Sequence, residues 1–122
     1  LGFEAASRGA KHVVLVERER VVFAALEASR AALNAGQVKV VRADALEFLR
    51  NDGGVYDIVF LDPPFADKPW VILFERLRAR LSPDAMVYRE SGEALLAPDG
   101  WEIYRAGRAG QVNYQLLKLL KL

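Results

Sequence analysis

The stretch Ile58-Val59-Phe60-Leu61-Asp62-Pro63-Pro64-Phe65 decides how the rest of the chain is read. Its first four residues are apolar and rich in β-branched side chains, the composition of a strand buried in a parallel sheet. The next four are stiff. Two adjacent prolines fix two φ angles and remove two backbone donors, and Pro63 drives Asp62 toward an extended conformation. The run therefore ends in a rigid edge that offers acceptors and few donors. In an open α/β sheet, ligands bind beyond the carboxyl ends of strands, which is where this edge falls. A carboxylate and a fixed carbonyl there can accept both hydrogens of an exocyclic amine, with Phe65 against the face of the attached ring. The plainer reading is a Pro-Pro turn that ends the strand, with Asp62 capping the next segment.

That arrangement suits methyl transfer to nitrogen. The amine lone pair is delocalised into the ring and must be drawn toward tetrahedral geometry before it attacks. The nitrogen turns cationic as it gains the methyl group, so acceptors aimed at its hydrogens favour the transition state over the ground state. Positioning and electrostatics supply the rate, and no covalent enzyme intermediate is required.

Outward from this stretch, short apolar runs alternate with helical ones, which is an α/β pattern without internal repeats. Val13-Val14-Leu15-Val16, Val38-Lys39-Val40-Val41 and Ala85-Met86-Val87-Tyr88 read as further buried parallel strands. A helix is expected over residues 19–35, with Val22, Ala25, Leu26, Ser29, Ala32 and Leu33 on its inner stripe and Gly36 as a left-handed cap. A short helix is expected over residues 45–50. Pro69 suits the first turn of another, whose buried stripe is Trp70, Leu73, Phe74, Leu77 and Leu81 and which Ser82-Pro83-Asp84 stops. Trp101-Glu102-Ile103-Tyr104-Arg105 and residues 112–119, joined by residues 106–110, have no helix between them and should pair as an antiparallel hairpin. The expected sheet is parallel in its body and antiparallel at one edge, within a single domain over residues 1–122.

Composition narrows the chemistry. The 122 residues are 52% hydrophobic and 27% charged, ordinary for one globular domain. There is no cysteine and His12 is the only histidine, so thiolate metal sites, histidine clusters and a Ser-His-Asp triad are poor expectations, and no metal is expected. No apolar run is long enough to span a bilayer and no secretory signal is visible, which points to a cytoplasmic protein with no membrane partner. A net charge of +1 confines any nucleic-acid contact to local patches. Arg105 with Arg108 is one candidate, and Arg76, Arg78 and Arg80 form another.

Two further acids stand at strand ends. Glu17 opens the charged patch Glu17-Arg18-Glu19-Arg20, and an acid at that position either accepts hydrogen bonds from ribose hydroxyls or is a solvated helix-start residue. Asp44 either contacts the amino group of an adenine or caps the helix that opens at Ala45. Gln111, Asn113 and Tyr114, beside a glycine-rich loop bearing Arg108, are either a base- and phosphate-contacting edge or a solvated hairpin.

Together these residues resemble the bacterial small-subunit ribosomal RNA guanine-N2 methyltransferases, the RsmD-like class I enzymes, over nearly the whole chain. Leu1-Gly2-Phe3-Glu4-Ala5-Ala6-Ser7-Arg8-Gly9-Ala10 is similar to the end of that family's glycine-rich cofactor loop and the helix after it, with Gly2 as its last glycine. Glu17 with Arg18 falls at the ribose-binding acid, and Arg42-Ala43-Asp44-Ala45 at the adenine-contacting turn. Asp62-Pro63-Pro64-Phe65 matches the catalytic motif. Arg89-Glu90-Ser91 resembles the segment after the fifth strand, and Gly110-Gln111-Val112-Asn113-Tyr114 the closing hairpin.

The resemblance implies a Rossmann-like class I sheet and S-adenosylmethionine as cofactor, contacted by Gly2, Glu17, Arg18, Asp44, Ala45 and Asp62. It implies ribosomal RNA or the small ribosomal subunit as partner, with Asp62, Pro63, Pro64 and Phe65 catalytic and Phe65, Arg108, Gln111 and Tyr114 toward the substrate. It also implies that the family's first strand lies ahead of Leu1, so that this chain alone should bind the cofactor weakly. The competing expectations are an adenine-N6 DNA or protein-glutamine methyltransferase, in which Asn often stands first in the motif, and a non-catalytic α/β module that binds RNA or protein.

Overall fold

A computed structural model describes residues 2–51, 53–61 and 70–120, the side chains of residues 4–6 excepted. The tetrapeptide Asp62-Pro63-Pro64-Phe65 and Pro69 lie outside the described residues. The chain forms two compact units, Leu1–Asp52 and Gly53–Leu122.

The first unit runs α1 (Gly2–Ser7), β1 (Val13–Glu17), α2 (Arg20–Ala32), β2 (Val38–Arg42), α3 (Ala45–Asn51). β1 and β2 are parallel and in register from Val13 opposite Val38 to Glu17 opposite Arg42. α1 packs on β1 through Gly2, where an added Cβ would collide with the Leu15 side chain. Absence of a side chain at that point is what lets helix and strand approach.

The inner face of α2 differs from the expected stripe. Phe23, Leu26, Glu27 and Arg30 are half-buried, whereas Val22 is 44% exposed and Leu33 64% exposed. Residues 23, 26, 27 and 30 carry the same helical spacing turned by one position, and they set Phe23, the bulkiest apolar group of the helix, on the inner side. The stems of Glu27 and Arg30 extend along the packed face while their heads pair at 3.2 Å.

The helix also ends otherwise than expected. Its left-handed residue is Asn34, at φ 52°, and not Gly36. The Asn34 N–H donates to Ala31 O at 3.2 Å and the Ala35 N–H to Arg30 O at 3.0 Å, the two bonds of a Schellman cap.

The second unit contains β3 (Tyr56–Leu61), α4 (Trp70–Leu77), a 3-10 turn (Arg78–Arg80), β4 (Leu81–Ser91), β5 (Trp101–Ala109) and β6 (Val112–Leu119). Its sheet has the order β3-β4-β6-β5, with β3 and β4 parallel and β6 antiparallel to both of its neighbours. The expected hairpin is present, and its second strand lies inside the sheet with β5 outermost. The hairpin is tighter than the sequence suggested. Ala106 to Ala109 extend β5, and the turn is Gly110-Gln111, with Gly110 at φ 62° in the first central position that a type II′ turn reserves for glycine.

Ser82-Pro83-Asp84 does not act as a loop, and Leu81 starts β4 rather than ending the helical stripe. The helix stops at Leu77 and gives way to the 3-10 turn. Tyr56 pairs with Leu81 and the next pairing is Ile58 with Met86, so Pro83 falls in a register shift where a ladder donor is dispensable.

Alternation on β4 turns Ala85, Val87 and Arg89 inward, and β6 contributes Gln115 and Leu117. Leu73, Phe74 and Leu77 are buried on α4, and Phe74 meets Trp101 edge to face at 4.8 Å. Burying each such side chain is worth about 1.5–3 kcal/mol, so this layer carries much of the unit's stability. The other face of the sheet is open. Phe60 packs on Tyr88 at 5.8 Å, Tyr88 lies nearly parallel to Tyr114 at 6.5 Å, and Ile58 is 61% exposed.

Candidate functional site

In the first unit two expected site acids stand at or just after carboxyl ends of parallel strands; in the second, β3 ends directly before Asp62 and the other expected residues lie on the antiparallel hairpin. In the first, Glu17 closes β1 and Asp44 follows β2 by two residues. The Ala43 N–H donates to Glu17 O at 3.1 Å, which draws the turn after β2 against the end of β1. Each acid has one oxygen committed to backbone. Glu17 Oε1 accepts from the Glu19 N–H at 2.9 Å, bracing the entry to α2, whose N-cap Glu19 makes no side-chain cap of its own. Asp44 Oδ1 accepts from Leu46 N–H at 2.9 Å and Glu47 N–H at 3.4 Å. Asp44 is thus the N-cap of α3.

The helix-capping role of Asp44 does not displace a ligand role. Among the described residues, Glu17 Oε2 and Asp44 Oδ2 accept no hydrogen bond, and both side chains are half-buried. Two oriented carboxylates, each with an oxygen to spare, suit a ligand that presents hydroxyl and amino hydrogens. Arg18 holds an exposed contact with Glu19 at 3.8 Å and accepts on its carbonyl from Arg42 Nε at 3.5 Å. Ala45 opens α3. A cavity of about 300 Å³ lies along β2 and α3, lined by Lys39, Val41, Ala43, Glu47, Phe48 and Asn51. It adjoins the turn through Ala43 but takes in neither acid, because Lys39, Val41 and Ala43 alternate on one face of β2.

In the second unit, β3 ends at Leu61, directly before Asp62, and Leu61 stands opposite Arg89 on β4. The hairpin residues expected near the substrate divide between two faces. Tyr114 lies opposite Gly107, and its ring occupies the space that a Cβ there would need, so it is held flat on the sheet. Arg108 lies opposite Asn113, one residue along, and the pleat turns it to the other face. Arg108 Nε donates to Gly110 O at 2.8 Å, folding the side chain over the turn, and Gln111 is exposed at the tip. Of the second basic patch, Arg78 lies against Gly100.

One polar residue escaped the sequence reading. Arg89 is 2% exposed, and burial lowers its pKa from the ordinary guanidinium value. The register of β4, which sets Ala85, Val87 and Arg89 on one inner face, is what buries it.

Two parallel strands followed by an inserted antiparallel last strand define a class I methyltransferase sheet. The solved structure of ribosomal protein L11 methylase from Lactobacillus delbrueckii subsp. bulgaricus has this fold, with a TM-score of 0.74 at 17% identity, over 97% of this chain and 63% of that one. More specifically, residues 1–118 match the family model described as Conserved hypothetical protein 95, and the chain belongs to that family. The solved structure of the Escherichia coli protein yhhF superposes with a TM-score of 0.89 at 35% identity, over 100% of this chain and 72% of that one. The Escherichia coli K12 protein named ribosomal RNA small subunit methyltransferase D is 37% identical over 122 residues, 95% of this chain and 61% of its own length. The chain therefore spans about three-fifths of that relative.

Proposed function

We propose that the chain carries the catalytic and cofactor-contacting residues of an S-adenosylmethionine-dependent methyltransferase acting on the exocyclic N2 amine of a guanine in small-subunit ribosomal RNA. The observation that carries this reading is the parallel strand β3 ending immediately before Asp62-Pro63-Pro64-Phe65, in a sheet of class I methyltransferase order. Likeness to a relative named for methylation of small-subunit RNA supports the substrate, and the reading makes the protein cytoplasmic.

The first unit suits the cofactor by its acceptors: Glu17 for ribose hydroxyls and Asp44, with Ala45, for the adenine amino group, with Gly2 on α1 and Arg18 next to Glu17. S-adenosylmethionine, when bound, supplies an electrophilic methyl group. Asp62 and the carbonyl next to Pro63 accept the hydrogens of the target amine and draw its lone pair out of conjugation. Phe65 lies on the base, the two prolines hold the acceptors still, and Tyr114, Gln111 and Arg108 contact flanking RNA. Because the acceptors gain most as the nitrogen becomes cationic, Asp62 acts chiefly on kcat.

The test is transfer of labelled methyl from S-adenosylmethionine to unmodified small ribosomal subunits by the full-length protein. Asp62→Ala should cut transfer about 100-fold or more while RNA affinity stays within a few-fold. Label on adenine or on protein, or an Asp62→Ala variant as active as the parent, overturns the proposal.

A further inference from the structure

Arg89 is a charged side chain inside an apolar layer, and among the described residues no carboxylate pairs with it. Its guanidinium instead joins segments far apart in sequence. Nε donates to Gln115 Oε1 at 2.8 Å and Nη2 donates to Leu96 O at 2.8 Å. Gln115 is itself buried, and its amide donates to Leu95 O. The guanidinium carbon lies 5.2 Å from the centroid of the Trp70 ring and 5.1 Å from that of Phe74, within cation–π reach.

Stability alone does not account for such a residue. Desolvating a cation costs several kcal/mol, and even a buried ion pair often gains nothing over apolar residues of similar volume. Arg89 has no such counter-charge among the described residues, and its hydrogen bonds offset only part of the cost. Methionine would fill much the same volume. What methionine lacks is the fork that holds residues 95 and 96, the hairpin strand β6 and the head of α4 together.

The position of Arg89 gives that connection a use. Its backbone stands opposite Leu61, the residue just before Asp62, and its side chain lies on Trp70, the first residue of α4. One residue thus touches both flanks of residues 62–69 and ties them to the connection between β4 and β5. We propose that Arg89 is a positioning residue, anchoring both flanks of the Asp62-Pro63-Pro64-Phe65 segment and so setting kcat without contacting donor or acceptor. This rests on the methyltransferase reading above.

In the full-length protein, Arg89→Met should lower kcat ten- to a hundredfold, the scale on which small misplacements act. KM for S-adenosylmethionine should stay within twofold, and the loss of kcat should exceed any loss of folded protein at the assay temperature, since the acceptors on Gln115 and Leu96 lose their donor. Arg89→Lys, which keeps the cation but loses the planar fork, should recover part of the rate. Amide hydrogen exchange should quicken at residues 70–73 and 95–97 in the methionine variant. Parental kcat in Arg89→Met, or a loss that only follows the folded fraction, overturns the proposal. If the parent itself transfers no methyl to RNA, the methyltransferase reading fails, and exchange then judges the anchor: unchanged rates at those two segments would dismiss it.

Discussion

Asp44 caps α3, and the cofactor contact proposed for it would fall to the same carboxylate. One oxygen satisfies backbone donors of α3, and among the described residues the other accepts no hydrogen bond. The two duties separate by substitution, because asparagine caps as well as aspartate while alanine does not. Asp44→Ala should cost about 1 kcal/mol of stability. Asp44→Asn should melt within a few tenths of a kcal/mol of the parent, since its carbonyl keeps the cap. It would nonetheless present an amide N–H₂ where an adenine amine needs an acceptor, so affinity for S-adenosylmethionine should fall by about tenfold, one good hydrogen bond to a charged group. Thermal melts and calorimetric titration of both variants decide it, and an Asp44→Asn protein with parental affinity removes Asp44 from the cofactor site.

At the scale of elements, the Schellman cap of α2 depends on a left-handed non-glycine residue. Asn34→Gly should leave stability equal or slightly raised, whereas Asn34→Ala, with a Cβ at φ 52° and no polar group to offset it, should lose about 1 kcal/mol in urea denaturation. This cap also marks where the sequence was legible and where it was not. Alternating β-branched runs and helical spacings gave the elements and their order, because a buried strand and an amphipathic helix each impose a period on the residues. Choice of face on α2 and choice between Asn34 and Gly36 did not follow, because neighbouring registers of one helix are close in energy and tertiary contact decides between them. Pro83 read as a stop for a similar reason: a register shift that frees one strand position from the ladder leaves no mark in composition. Glu17 and Asp44 were legible as acids at strand ends, and their backbone commitments were not. Arg89 was read only as part of a strand end, since an arginine in an apolar run carries no sign of which face it takes until the register of its neighbours is known.

On the scale of the whole molecule, the family match over residues 1–118 takes in both compact units. The second unit leaves a broad apolar sheet face open, with Ile58 61% exposed and Phe60 43% exposed. Among the described residues β3 pairs on one side only. Exposed apolar surface on a strand with an unpaired edge favours association. The 122-residue chain should therefore show concentration-dependent mass in sedimentation, and Ile58→Lys should shift it toward monomer with its circular dichroism unchanged. A parent chain that sediments as a monomer at every concentration would count against this reading.

Because β6 lies between β4 and β5, a strand made after both is the one that joins them. A nascent polypeptide therefore holds β5 without a neighbouring strand until β6 emerges, with Ala109 paired first and Trp101 last, when Leu119 arrives. Without Val112–Leu119, β5 has no strand beside it among the described residues, so translation that stops before β6 yields a product for proteolysis rather than a folded sheet.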